Sequence, residues 1–359
     1  MNAFVYNGQP TRVVFGTGTL AKLPDEIERL GAQRALVLST PEQRATAEDV
    51  AARLGGRSAG VYGQAVMHVP IEVAEAARAV AKQLSADCCV AVGGGSTIGL
   101  GKAIALTSEL PILAIPTTFA GSEMTPIYGL TAGGQKKTGR DPRVLPKTVI
   151  YDPELLRTLP AKIAGPSGMN AIAHCVEALY AQDANPIGSL MAEEGIRTLA
   201  ASLPAVVRSA DDLAAKSDAL YGAWLAGSCL GMVGMALHHK LCHTLGGTFN
   251  LPHAETHTVI LPHVTRYNYE AAPAAMARIS RALGRDDPAG ALHDLARGIG
   301  APTALKDIGM PLDGLERAAR LAVENPYYNP APIRYESILA LLRAAWHGER
   351  PAVARKEVA

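Results

Sequence analysis

Short apolar runs alternate with amphipathic segments through the first part of the chain. Residues 12–16 (RVVFG) read as a strand closed by a glycine, and Leu23, Ile27 and Leu30 fall in step along a helix over 20–30. The run 35–39 (ALVLS) is apolar enough for a buried strand, and a helix follows through Glu48 to Leu54. Strands are then expected at 60–62, 88–92 and 111–116, with helices over 73–84 and through Lys102 and Ala105 between them. Continuously apolar strands separated by helices require a parallel sheet covered on both faces. Residues 127–132 and 148–151 read as further strands around GGQKKTGRDPR, a polar hairpin or loop. Its Lys136, Lys137, Arg140 and Arg143 are expected mostly in water, with one of them available to a carboxylate if the loop lies over a cleft.

After Asp152-Pro153 the period changes, and helical patterns at 189–203, 213–230, 275–283, 289–299 and 338–346 are punctuated by Gly and Pro. The expected fold is an α/β N-terminal domain with a parallel sheet over 1–152 and an all-α C-terminal domain over 153–359. The polar end, 349–359, is expected to fray.

Composition narrows the partners more than the fold. Of 359 residues, 48% are hydrophobic and 19% charged, so a large core can be buried and disorder is not expected. A net charge of +1 with no basic run argues against nucleic acid or an anionic membrane as partner. A small anion needs only local charge. Cys88, Cys89, Cys175, Cys229 and Cys242 are an odd count without framework spacing, which suits reduced thiols. The start MNAFVYNGQPTRVVF shows no signal-peptide pattern, and no apolar run reaches bilayer length, so a cytoplasmic protein is expected.

Two stretches carry candidate chemistry. The first is GGGS at 93–96, at the carboxyl end of an expected strand and directly before a helix. Gly94, Gly95 and Ser96 let a phosphate approach the backbone at a helix N-terminus. Thr117 and Thr118 follow the next strand and offer hydroxyls to a pyrophosphate or ribose. Open sheets bind ligands at these ends, although GxGxxG in its usual position is absent. The second stretch, 238–263, holds six of the ten histidines. His239 and His243, four apart, share a helix face. Gly246-Gly247 is expected to stop that helix, and Pro252 to set a turn that presents His253. Asn170 and His174 form a second such pair upstream.

The order GGGS, IPTTFAGSE, NAIAHCVEA, HHKLCHTLGG and LPHAETHTVILPH resembles the iron-containing alcohol dehydrogenase family, from VFGTG near Phe15 to just before Trp346. The resemblance implies a dehydroquinate synthase-like fold, NADH or NADPH as cofactor, a homodimer, and an active site in the cleft between two domains. It also implies a four-ligand site for Fe²⁺ or Zn²⁺ whose matching positions are Asn170, His174, His239 and His253, with His243 beside the nicotinamide. Asn170 departs from the family's Asp, and a neutral amide is a weak ligand.

With HHKLCHTLGG and HAETH, that departure resembles the maleylacetate reductase branch of the family. The branch implies that metal is not required. It also implies a small dicarboxylate substrate, maleylacetate, whose C=C bond is reduced to give 3-oxoadipate in the breakdown of hydroxyquinol, resorcinol or chlorinated aromatics. If a metal is bound, His174, His239 and His253 are its expected ligands. Gly99 and Thr40 stand where the family often has Asp. A hydroxyl at Thr40 does not repel a 2′-phosphate, so NADPH is expected to serve as well as NADH.

On this reading His243 and His253 stabilise and protonate an enolate, His174 and His239 complete a cationic pocket, and Asn170 orients an imidazole. Lys240 either faces a substrate carboxylate or is solvated, and Asn325 to Pro330 (NPYYNP) is a candidate for closing the cleft. His238, His257 and His263 are assigned supporting places, Tyr267 and Tyr269 packing, and His68, His293 and His347 the surface. The rival readings are a metal-dependent alcohol dehydrogenase acting on a small alcohol or aldehyde, and a dehydroquinate synthase-like lyase without redox chemistry.

Overall fold

The computed structural model describes residues 4–6, 8–133, 135–324 and 326–352, without the side chains of Gln135 and Lys136. Asn325, Lys136 as a side chain, and the chain end beyond 352 lie outside this description. The chain forms two compact units: Gly8–Leu159 with Ala210–Leu220, and chiefly Pro160–Ser209 with the chain from Tyr221 on. Among the described residues no single helix is long and apolar enough to cross a membrane.

The first unit is built on β1 (Arg12–Phe15), β2 (Ala35–Leu38), β3 (Ser58–Tyr62), β4 (Cys88–Gly93) and β5 (Ile112–Pro116). A hairpin of β6 (Ile127–Ala132) and β7 (Gln135–Arg140) precedes the last strand, β8 (Thr148–Tyr151). Six strands pair in parallel in the order β1-β8-β5-β4-β2-β3. The helices α1 (Leu23–Arg29), α2 (Arg44–Leu54), α3 (Ile71–Gln83) and α4 (Gly95–Ser108) make the crossovers.

Because side chains alternate along a strand, the sheet feeds two cores. Val37, Val90, Leu113 and Ile115 pack with Leu23, Ile27 and Val50 from α1 and α2. Leu36, Leu38 and Cys89 face the other way, onto Ala77, Ala81, Leu100 and Ile104 of α3 and α4. That two-sided burial is why these strands read as unbroken apolar runs. The hairpin expected over GGQKKTGRDPR is the antiparallel pair β6–β7, and Arg143 beyond it pairs with Asp141 at 2.7 Å.

Two buried charged groups hold the unit's connections. The Lys102 ammonium donates to the carbonyls of Ser122, Thr125 and Ile127 at 2.7–2.8 Å, which pins the segment after β5 to α4. Asp152 accepts from the backbone N–H groups of Gly18, Leu20 and Glu154 at 2.9–3.1 Å. The expected boundary residue therefore still belongs to the first unit, which the chain leaves after Leu159.

The second unit is helical: α5 (Ala161–Ala178), α6 (Pro186–Arg208), α7 (Leu213–Met232, whose residues to Leu220 belong to the first unit), α8 (Leu237–Phe249) and α9 (His253–Tyr267), followed by α10 (Pro273–Leu283), α11 (Pro288–Gly298), α12 (Leu315–Val323) and α13 (Tyr335–His347). Leu237, Leu241 and Leu245, four apart on α8, join Val259, Ile260 and Val264 of α9 and Leu342 of α13 in one core.

Gly246-Gly247 does not stop α8. The helix runs through both glycines to Phe249 and ends at Asn250, which takes the left-handed conformation with φ 54°. Each glycine costs a helix up to about 1 kcal/mol. Packing of Leu245 and Phe249 into this core offsets that cost. His293 is a second correction. It is buried on α11, 6% exposed, because it falls on the apolar face with Leu292 and Ala296, whereas His347 is exposed as expected and His68 is half-buried.

Candidate active site

Two sets of residues carry chemistry, one in each unit. In the first unit Thr40, Gly94 and Thr117 follow the carboxyl ends of β2, β4 and β5, three neighbouring strands. From β2 the chain moves outward to β3 and then returns on the other side of β2 as β4, the reversal that opens a crevice in sheets of this kind. Gly93 has φ +152°, and a Cβ there would stand 2.4 Å from Thr97 Oγ1. A Cβ on Gly94 would stand 2.9 Å from Thr118 Oγ1, so only glycine leaves the space open. No side chain caps the N-terminus of α4, which leaves its first N–H groups free for an anion. Gln43 Nε2 donates to Thr117 Oγ1 at 2.7 Å and orients that hydroxyl.

The cradle fits a phosphate-bearing cofactor on these grounds. At Gly99, the position of the missing Asp, a Cβ would meet Val69 Cγ2 at 2.9 Å, so the 68–69 segment fills the space such a side chain would need. His68 and Val69 both adopt positive φ to do so.

In the second unit the histidines converge from three helices. Asn170, His174 and Glu177 lie four and then three apart on α5, one buried face. α8 supplies His238, His239 and His243, and α9 supplies His253 and, one turn later, His257. His174 stacks on His239 with ring centroids 5.2 Å apart, and His243 meets His239 edge-on at 6.0 Å. His253 reaches the group through His257: the two rings are 4.3 Å apart, and His257 lies 4.8 Å from both His238 and His239. His243 is exposed and His253 half-buried, whereas Asn170, His174, His238, His239 and His257 are buried.

Asn170 Oδ1, His174 Nδ1 and His239 Nε2 are buried without a hydrogen-bond partner, as are both ring nitrogens of His238 and His257. Tyr327 of the 325–330 segment brings its hydroxyl to 3.4 Å from His243 Nδ1, and Lys240 Nζ lies 5.9 Å from the centre of the Tyr327 ring.

Burial sets the charge state of this cluster. It lowers His174 and His257 well below the ordinary imidazole value and pushes His238 and His239 down to about 3. That burial works against the cationic pocket expected of His174 and His239, because charging a ring without water around it is costly. Among the described residues, ring nitrogens of His238, His239 and His257 lie within 4.8 Å of one another. His253, at the first turn of α9, shares a helix face with His257 one turn deeper and lies against that ring.

Glu177, the carboxylate beside these rings, has both oxygens engaged: Oε1 accepts from His238 N–H at 2.7 Å and Oε2 from Ala236 N–H at 2.9 Å, and His239 Nδ1 lies 2.6 Å from Oε2. What remains is imidazole and one amide, a set that lacks the anionic ligand Fe²⁺ favours.

Glu177 and the central places of His238 and His257 are what sequence reasoning missed. Their signals were a lone carboxylate three residues past His174 in an apolar helix, and the spacing of four between His253 and His257.

The comparisons agree with this architecture. The iron-containing alcohol dehydrogenase profile matches residues 10–153, and the Fe-containing alcohol dehydrogenase family C-terminal profile matches 165–346. The chain belongs to the iron-containing alcohol dehydrogenase family. Within it, a maleylacetate reductase from Burkholderia cepacia is 60% identical over 352 residues, 98% of this chain and 100% of its own length. One from Sphingobium indicum is 57% identical over 98% of this chain and 99% of its own. The crystal structure of maleylacetate reductase from Rhizobium sp. strain MTP-10005 superposes with a TM-score of 0.94 at 51% identity, covering 98% of this chain and 100% of that one.

Proposed function

We propose that this chain is a maleylacetate reductase, which uses NADH or NADPH to reduce the C=C bond of maleylacetate to 3-oxoadipate in aromatic-compound degradation. Full-length identity of 51–60% to relatives of that name carries the reading. A histidine cluster with no free carboxylate ligand is consistent with it.

The reading assigns each unit a task. In the first, Gly94, Gly95 and Ser96 would hold a cofactor pyrophosphate at the N-terminus of α4, Thr117 and Thr118 would add hydroxyl contacts, and Thr40 would serve the adenosine ribose. A reduced nicotinamide bound there would supply the hydride for the alkene carbon β to the ketone. In the second unit, His243 and His253, which keep access to solvent protons, hydrogen-bond the developing enolate and return a proton to the α carbon. His174 and His239, kept neutral by burial, shape the pocket and accept hydrogen bonds, with Asn170 beside them. Lys240, beside Tyr327 and His243, is placed to attract a substrate carboxylate. A homodimer is the expected assembly, to be checked by light scattering.

The test follows NADH absorbance with maleylacetate on chelator-treated protein whose metal content has been measured. Turnover without metal is expected. Activity that returns only with Zn²⁺ or Fe²⁺ would replace this reading with the metal-dependent alcohol dehydrogenase, whose ligands are expected at His174, His239 and His253. NADPH turnover far below that with NADH would remove the role given to Thr40.

A further inference from the structure

The carboxylate of Glu177 has no exposed surface, lies among histidines and sits one helix away from the backbone it holds. Its three contacts constrain where protons can be. The N–H groups of Ala236 and His238, at 2.9 and 2.7 Å, can only donate, so each carboxylate oxygen is already an acceptor. Both N–H groups belong to the start of α8, where unpaired backbone donors and the positive end of the helix dipole favour an anion. Burial pushes the Glu177 carboxyl upward, and the nearby His238 and these backbone donors oppose that push. The third contact, 2.6 Å to His239 Nδ1, has the length of a charge-assisted hydrogen bond. The two ring nitrogens of His239 lie in very different surroundings. Nδ1 faces the carboxylate, and Nε2 is buried without a partner.

We propose that Glu177 is a positioning residue that locks His239 in the tautomer protonated on Nδ1, leaving Nε2 as a lone-pair acceptor directed away from Glu177. The consequence for catalysis rests on the reductase reading. His239 is then an acceptor that aligns a donor in the pocket, and the proton delivered to the α carbon comes from another ring. Glu177 does this from the same helix face as Asn170 and His174 while bracing the first turn of α8. One carboxylate thus fixes both the position and the tautomer of His239.

Long-range proton–nitrogen correlation spectra of histidine-labelled protein test this directly, with the His239 signals assigned through a His239→Gln variant. The wild type is expected to show His239 protonated on Nδ1. In Glu177→Gln a single amide oxygen faces three donors, and the orientation that turns its NH₂ toward His239 moves the ring proton to Nε2. That switch is expected with a fall in kcat of about ten- to a hundredfold, little change in KM for NADH, and partial recovery in Glu177→Asp. A wild-type His239 protonated on Nε2 overturns the proposal, whether or not any variant folds. So does a folded Glu177→Gln protein that keeps the wild-type tautomer and loses activity all the same. The spectra need no substrate, so absence of maleylacetate turnover would sink the functional reading and leave the tautomer to be decided separately.

Discussion

The glycine turn of the first unit and the histidine cluster of the second recognise their ligands in opposite ways. The turn works by what is missing: without Cβ atoms at Gly93 and Gly94 the backbone is open, and the N–H groups at the start of α4 are left free. Its chemistry is main-chain and depends little on which charges stand nearby. The cluster works by crowding. Imidazoles from α8 and α9 and one from α5 pack ring to ring at 4.3–6.0 Å, and burial rather than sequence sets their charge. A backbone site is broken by adding atoms, and a side-chain site by removing them.

The largest effect should come from removal. Replacing His243 or His253 by Ala is expected to lower kcat by about 10²–10⁴-fold, the usual worth of a general acid, while NADH binding measured by fluorescence stays put. If both variants turn over normally, the proton donor lies elsewhere in the cluster. Addition comes next. Gly94→Ala brings a Cβ to 2.9 Å from Thr118 Oγ1. It is expected to weaken NADH binding by about tenfold or more, about 1.4 kcal/mol, and to leave the histidine signals unchanged. Unaltered NADH affinity would mean that the pyrophosphate does not sit on this turn.

Acid should separate the regions by stability. His174, His238, His239 and His257 are held below the ordinary imidazole value of 6.5. As pH falls through that value the unfolded chain gains protons that these rings refuse, so their contribution is full above it and drains toward lower pH. Each ring is expected to cost about 1 kcal/mol between about pH 6.5 and 5.5. The carboxyls of Glu123 and Glu177, raised by burial, act in the reverse sense and trim the slope. Urea midpoints measured across this range should fall with acid, and a flat profile would mean that the cluster is hydrated or charged when folded. The smallest effect is expected from Tyr327→Phe, because its contact to His243 is long at 3.4 Å. A change in kcat of less than about threefold would fit a hydrogen bond of that quality, and a much larger loss would place Tyr327 among the reacting groups.

Much of this was legible in the residues alone. Unbroken apolar runs such as CCVAVG specify strands buried on both faces, and that pattern is local, so the parallel sheet, its crossovers and the place of GGGS could be read before any coordinates. The spacing of His239 and His243, and of Asn170 and His174, likewise predicted shared helix faces. Local pattern failed where packing overrode it: the glycine pair at 246–247 stays helical because residues on either side of it are drawn into the core.

Three further features came only with the tertiary structure. His257, not His253, stands at the middle of the rings, because one turn of α9 decides depth. Burial lowers the His174 and His239 rings, because the cost of a charge depends on how much water surrounds it, and that is a property of the whole packing. Glu177 meets α8 across roughly sixty residues of chain. The sequence by itself determined which side chains share a helix face; which of those faces meet, and what each proton then faces, was decided by three helices packing together and excluding water.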